Sequence, residues 1–373
     1  MTLNGAGSVV MSNQTGNVFN GPAVTAGGST LTTSIPITGG GNIGDNDLNI
    51  TNNSTITASS SAGLTLDPQL TFTNTAKGRA VSNSTLTLAA GTFLNTGGVF
   101  RAEGAGAVMD VTYAEIQGGL LTSSDGGEVR FTSRWGFVNG TGSAVTISGA
   151  ARITNGDTPT FAGNITVDGD LRVDSTGTVT ALRIPLSSAL TLNGSGTVTL
   201  ANNVNSQITG SGLNSSLTSN VLIHGAGKIG LAQFDIANGG TINANQTVGL
   251  TIDPRTTFVN NAGGAVRSSA SGGLTLNGGP FGASNLVVSN FIPVPVIVSF
   301  TVVPGTGGHA GQKEMDLLIK GEPGVTYGLD ASTNFLDWNP IQSGTAAPIT
   351  GLLAYEIFVA EATPRYFLRV RLP

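Results

Sequence analysis

The chain has 373 residues, among them 55 glycines, 15 prolines and no cysteine, with 10% charged residues and a formal net charge of −5. An average soluble domain carries roughly 25% charged residues. So few charges, without heptads or basic runs, exclude coiled coils, helical bundles and a nucleic-acid footprint, and the missing cysteines exclude disulfides and thiolate metal sites.

In chain order, the opening stretch 2–21 reads TLNGAGSVVMSNQTGNVFNG, short apolar pairs alternating with Gly, Asn and Ser. Nothing in it resembles a signal peptide. The same phrase returns at 191–210 as TLNGSGTVTLANNVNSQITG. Further pairs follow in step: IPITGGGNIG at 35–44 with VLIHGAGKIG at 221–230, GLTLDP at 63–68 with GLTIDP at 249–254, and TFTN at 71–74 with TFVN at 257–260. LTLAAG at 86–91 then matches LTLNGG at 274–279. The offset stays between 186 and 189 residues, so that 2–95 resembles 191–279.

Within this long period runs a short one. Apolar-x-apolar triplets such as Leu64/Leu66, Leu86/Leu88, Val145/Ile147, Leu171/Val173 and Leu250/Ile252 each mark a strand with one buried face. Gly-Gly, Asn-Asn and Asp-Pro pairs separate them and suit tight corners. Short strands with an internal repeat and no βαβ spacing predict a β-solenoid over 1–291, read as a right-handed parallel β-helix. Coils of roughly 20–25 residues give on the order of a dozen turns, stacked at about 4.8 Å.

Composition changes near residue 292, where Pro293 and Pro295 mark a joint. Beyond it charges and aromatics become denser and the strands longer, at 296–303, 315–319, 355–359 and 366–372. Residues 292–373 read as a separate immunoglobulin- or fibronectin-like β-sandwich, with an aromatic core of Tyr327, Phe335, Trp338, Phe358, Tyr366 and Phe367. The apolar run 291–304 is broken by the two prolines and is too short to span a bilayer, so no membrane insertion is expected.

These phrases carry a resemblance. The body, with its NGxG, GxGxIG and LTxDP units over 2–290, resembles the β-solenoid stalks of large secreted bacterial surface proteins of the autotransporter-passenger and adhesin kind. The tail, with YGLDASTN at 327–334, Asp337-Trp338 and RYFLRVR at 365–371, is similar to the terminal immunoglobulin-like module of exported bacterial surface proteins. What the resemblance implies is an extracellular or cell-surface location. It implies no chemistry.

Candidate chemistry is sparse. Gly39-x-Gly41-x-x-Gly44 and Gly225-x-Gly227-x-x-Gly230 have the spacing of a dinucleotide loop, but no helix follows and the motif repeats with the solenoid; they read as corners, and no cofactor is expected. Asp168, Asp170 and Asp174 offer oxygens that suit calcium. With Leu171 and Val173 turned inward, however, the acids spread along an outer face, and no metal site is expected. Asp67 and Asp253 open Asp-Pro turns. Asp110, Glu115, Asp125, Glu128 and Arg130, near Trp135, come nearest to the paired carboxylates of a glycosidase. They too read as solvated outer faces, and no catalytic residue is assigned. His224 and His309 fall in different predicted domains.

What remains is the end of the solenoid. Its first coil is built like an interior one and carries no polar cap, so its open side suits another coil. The expected subunit interface comprises Leu3, Val9, Val10, Val18 and Phe19, with an edge strand carrying Val296, Val298, Phe300 and Val302 donated to a neighbour. The expected function is an extracellular structural protein that self-assembles head-to-tail into a surface filament or matrix, its partner a second copy of itself. The alternatives are a monomeric adhesin that binds surface glycans, and a polysaccharide-degrading β-helix enzyme.

Overall fold

The computed structural model describes the chain apart from residues 23–27, 213, 280, 282–287, 290–295, 322–324, 348–351, 364–365 and 372–373. Pro293, Pro295 and Arg365 therefore lie outside the described residues. The chain divides into two compact units, Met1–Val288 and Ser289–Pro373. Both are built of strands, and no helix among the described residues is long and apolar enough to cross a membrane.

The first unit is a parallel β-solenoid of about 12 turns. Most coils contribute three short strands, and the interior strands pair in parallel with the coil before and the coil after. The first face begins Thr2–Leu3, Ser29–Thr33, Leu48–Asn52; the second Val9–Val10, Ile37–Gly39, Thr55–Ala58; the third Val18–Phe19, Gly41–Ile43, Leu64–Leu66. Because strand side chains alternate with period two, the apolar members of each triplet point inward. One inward row on the third face runs Ile43, Leu66, Leu88, Val111, Phe131, Ile153, Val173 and Leu200, all fully or almost fully buried. Burial of each such side chain stabilises the fold by about 1.5–3 kcal/mol.

Some buried polar groups stand at corners, where they pair with one another as desolvation demands. At the end of the first-face strands, Asn52 Nδ2 donates to Asn74 Oδ1 (2.8 Å) and Asn74 Nδ2 donates to Asn95 Oδ1 (2.8 Å). Two strands, Phe137–Ser148 and Thr160–Val167, run across the corner from the first face to the second. Their pairing shifts between Gly140 and Val145, where the chain bulges outward.

The long sequence repeat has an unexpected placement. Thr2–Leu3 lies on the first face, whereas its counterpart within Ala189–Asn193 lies on the second, eight coils further on. The same rotation carries Val9–Val10 to Thr197–Leu200 on the third face and Val18–Phe19 to Ser206–Gly210 on the first. Corner ladders follow it too: Asn238 donates to Asn260 (2.7 Å) on the second face as Asn52 does to Asn74 on the first. Phe281 packs on Phe258 with tilted rings and centroids 5.4 Å apart, where Phe93 stacks on Phe72 at 5.2 Å. One period is therefore eight coils and one face.

The second unit has two three-stranded antiparallel sheets. One orders Val296–Pro304, Gln312–Lys320, Leu352–Ala360; the other orders Asn339–Thr345, Thr326–Ser332, Phe367–Arg371. They share a core of Leu317, Ile319, Tyr327, Leu329, Tyr355, Ile357 and Val359. Of the predicted aromatic core only Tyr327 is fully buried. Phe335 is 61% exposed and forms a surface cluster with Phe367 (3.6 Å) and Trp338 (6.1 Å), with the Arg369 guanidinium 4.5 Å over the indole. Phe358 stacks instead on His309 at 3.7 Å. Phe335 and Trp338 sit in the corner between two strands rather than on an inward strand position, which is why they stay outside. Their place is taken by aliphatics and by Tyr355, whose hydroxyl donates to the Tyr327 carbonyl (2.7 Å).

Candidate functional site

The expected interface residues of the solenoid lie on its first coil. Thr2–Leu3, Val9–Val10 and Val18–Phe19 each pair on one side only among the described residues. Leu3, Val9 and Phe19 are partly buried against the core, while Val10 is 73% exposed and Val18 points outward. Hydrogen bonds use alternate residues. Leu3 accepts from Ser34 N, Val9 N and Met11 N donate to the next coil, and Phe19 accepts from Gly44 N. In a parallel ladder the N–H and C=O of intervening residues point the other way. Thr2, Val10 and Val18 thus present backbone groups to the open edge.

In the second unit, Val296–Pro304 is one of the two outer strands of its sheet. Val298, Phe300 and Val302 are about half exposed, and the Val296 side chain lies outside the described residues. The pairing shifts by one residue between Ile297 and Ser299, placing Ile297, Phe300 and Val302 opposite Ile319, Leu317 and Met315.

Most of the acids singled out in the sequence lie on two faces, and Asp125 and Asp168 stand at corners. On the third face, the outward row runs Asp110, Arg130, Arg152, Arg172, Thr199, His224. Glu128 bridges Arg130 (2.6 Å) and Arg152 (2.7 Å), Asp174 bridges Arg152 (3.4 Å) and Arg172 (3.9 Å), and Arg172 also faces Asp170 at 3.7 Å. Thr197 and Thr199 hydroxyls donate to Asp170 (3.0 and 2.6 Å), and Thr199 Oγ1 lies 3.2 Å from His224 Nε2. Three stacked arginines are thus interleaved with three carboxylates, which balances the charge. Asp110 closes the row: burial pushes its carboxyl above the usual range, Arg130 pulls it back and Glu128 pushes it up again. Its Oδ1 is buried without a hydrogen-bond partner among the described residues.

Glu115 faces elsewhere. It lies on the first face, where its Oε1 accepts from Gln117 Nε2 (2.9 Å) and Asn139 Nδ2 (2.7 Å). Asp125 occupies an exposed corner at φ +54°, apart from both groups. Asp168 caps a corner by accepting from Ser195 N (3.0 Å). No three His, Asp or Glu side chains among the described residues are placed to share a metal ion.

Sequence reading missed Gln117 and Asn139 as partners of Glu115. The available signal was the coil length, since Glu115 and Phe137 occupy successive rungs. It also missed Asp330, a buried carboxylate gripped by Arg369 (3.0 Å) and Arg371 (3.2 Å); burial raises its pKa, but the two guanidinium hydrogen bonds outweigh this and hold it low.

The glycine fingerprints resolve into coil contacts. Gly39 and Gly225 have φ +128° and +127°, and a Cβ would sit 1.9 Å from the Met11 and Leu200 carbonyl oxygens respectively. Gly44 and Gly230 stand likewise against the carbonyl oxygens of Asp67 and Asp253, at 2.2 and 2.1 Å. Both triplets serve backbone packing between coils.

No protein-family model, no curated protein and no solved structure matches this chain.

Proposed function

We propose that this is an extracellular structural protein whose solenoid stacks end to end with further copies, building a surface filament or matrix. The observation that carries the reading is the row of backbone groups at Thr2, Val10 and Val18 that no described strand uses. A similar sequence supports this, because the counterpart at 191–210 lies on a coil inside the same molecule. There Ala189–Asn193 pairs with Thr160–Val167, Thr197–Leu200 with Asp170–Val173, and Ser206–Gly210 with Thr180–Ile184. The interior strands are four or five residues long and the edge strands two, as expected if a neighbouring coil extends the ladder. Each added backbone hydrogen bond contributes about 1 kcal/mol, and apolar cover adds about 25 cal/mol per Å². On this reading the chain works as a scaffold and assigns no group to catalysis.

The test uses proline. Proline at Val10 or Val18 removes an edge N–H that no described strand uses, and edge positions tolerate the ring. Sedimentation velocity and negative-stain microscopy over rising concentration should show lengthening rods for the unaltered protein, and single units for Val10→Pro and Val18→Pro. Dispersed single particles of the unaltered protein at every concentration reject the proposal. So does polymerisation that both proline variants retain.

A further inference from the structure

The coils around Glu115 depart from the regular pattern on both sides of one face. The floor of this strip is two outward rows in register, Thr92, Glu115, Phe137 and Leu94, Gln117, Asn139. On one side stand the corners 112–114 and 132–136, tied together by the Thr112 and Thr132 hydroxyls at 2.7 Å. From these corners project Tyr113, 58% exposed, and Trp135, 66% exposed, one coil apart. On the other side the outward bulge of Phe137–Ser148 raises Thr141, Gly142 and Ser143, leaving a groove between them and Leu94, Thr96, Gln117 and Asn139.

We propose that this strip binds a neutral glycan, its sugar rings stacking on Tyr113 and Trp135 and its hydroxyls bonding to Glu115, Gln117 and Asn139. Large aromatics that stand in water on rigid corners mark a contact surface, and their partner must present an apolar face with polar edges. A pyranose does so. Amides suit the hydroxyls because each both donates and accepts. Here they are held in place beforehand: Gln117 and Asn139 both donate to Glu115 Oε1, and Asn139 Oδ1 accepts from Thr141 N at 3.1 Å. Less ordering is then left to pay for on binding. Among the described residues Glu115 Oε2 accepts only from the Thr92 hydroxyl, at 3.4 Å, and keeps a lone pair for a sugar hydroxyl. The charges at the strip, Glu115 and the exposed Arg134, offset each other, which favours a neutral polymer over a polyanion.

Affinity electrophoresis tests this in native gels cast with a soluble β-glucan, a xylan or a galactomannan, with alginate as the polyanion and a plain gel as reference. Run on the Val10→Pro protein, the readout is independent of filament formation. At least one neutral gel should retard the protein. Trp135→Ala and Tyr113→Ala should each weaken the retardation about tenfold, the order expected for loss of an aromatic stack. Leu186→Ala, at an exposed apolar residue elsewhere, should leave it unchanged. Both aromatics are exposed, so circular dichroism of the variants should match that of the parent. No retardation in any neutral gel overturns the proposal. It is equally overturned by retardation in alginate alone, or by retardation that survives in a variant carrying both Tyr113→Ala and Trp135→Ala.

Discussion

Asp235 shows how much one side chain does at a corner. It accepts from Thr256 N (2.9 Å), Thr256 Oγ1 (2.6 Å), Thr257 N (3.0 Å) and Arg255 Nη2 (3.2 Å). Burial alone would raise its pKa, but these donors lower it to about 2. Its stabilising effect is therefore complete above the ordinary carboxylate value and is lost as pH falls through about 2. The repeat supplies a natural control. Asn49 holds the equivalent place and accepts from Leu70 N (3.2 Å) and Thr71 N (3.0 Å). Asp235→Asn should thus cost under about 1 kcal/mol at pH 7, while Asp235→Ala, which leaves both amides uncapped, should cost about 1–2 kcal/mol. Urea denaturation at pH 7 and thermal melts between pH 2 and 5 check both, with the asparagine variant showing a flatter acid limb. The Asp-Pro turn was legible in the sequence. Its cap, some twenty residues away, was not.

At the scale of the strand and its corner, period-two patterning gave away the inward positions, and Leu64, Leu66, Leu86 and Leu88 are all buried as expected. The charged row of the third face escaped, because its members sit on successive coils whose corners differ in length. Three residues, 112–114, join the strands there in one coil, and five, 132–136, in the next. Cross-coil partners cannot be counted off without those lengths. Corner glycines are a sharper case, since spacing alone admits a phosphate-binding loop and only the neighbouring coil's carbonyl explains the need for glycine. Gly225→Ala should be severe: the residue sits at φ +127° and its new Cβ would meet the Leu200 carbonyl. Backbone strain of this kind costs about 1–3 kcal/mol before the clash is counted. A fall in melting temperature far larger than for alanine at the open Gly97 would bear this out, and equal melting temperatures would contradict it.

For the molecule as a whole, the sequence revealed a repeat but not that its copies occupy neighbouring faces, because similar strands serve all three. A period of eight coils and one face means that any side of the solenoid can be rebuilt from the residues of another. The chain should therefore accept excision of a whole period as a cassette. Without residues 67–252, Leu66 would run straight into Asp253, and Phe258–Asn260 would settle over Leu48–Asn52, where Thr71–Asn74 now lies. Such a miniature should give a β-rich circular dichroism spectrum and a cooperative melt. A cut from residue 64 through 250, one residue longer than the period, would put Thr251 at the inward place of Leu64 and turn Ile252 toward water, and should aggregate. If it holds, the protein's length is set by a modular grammar, adjustable in sides of a prism as well as in full windings.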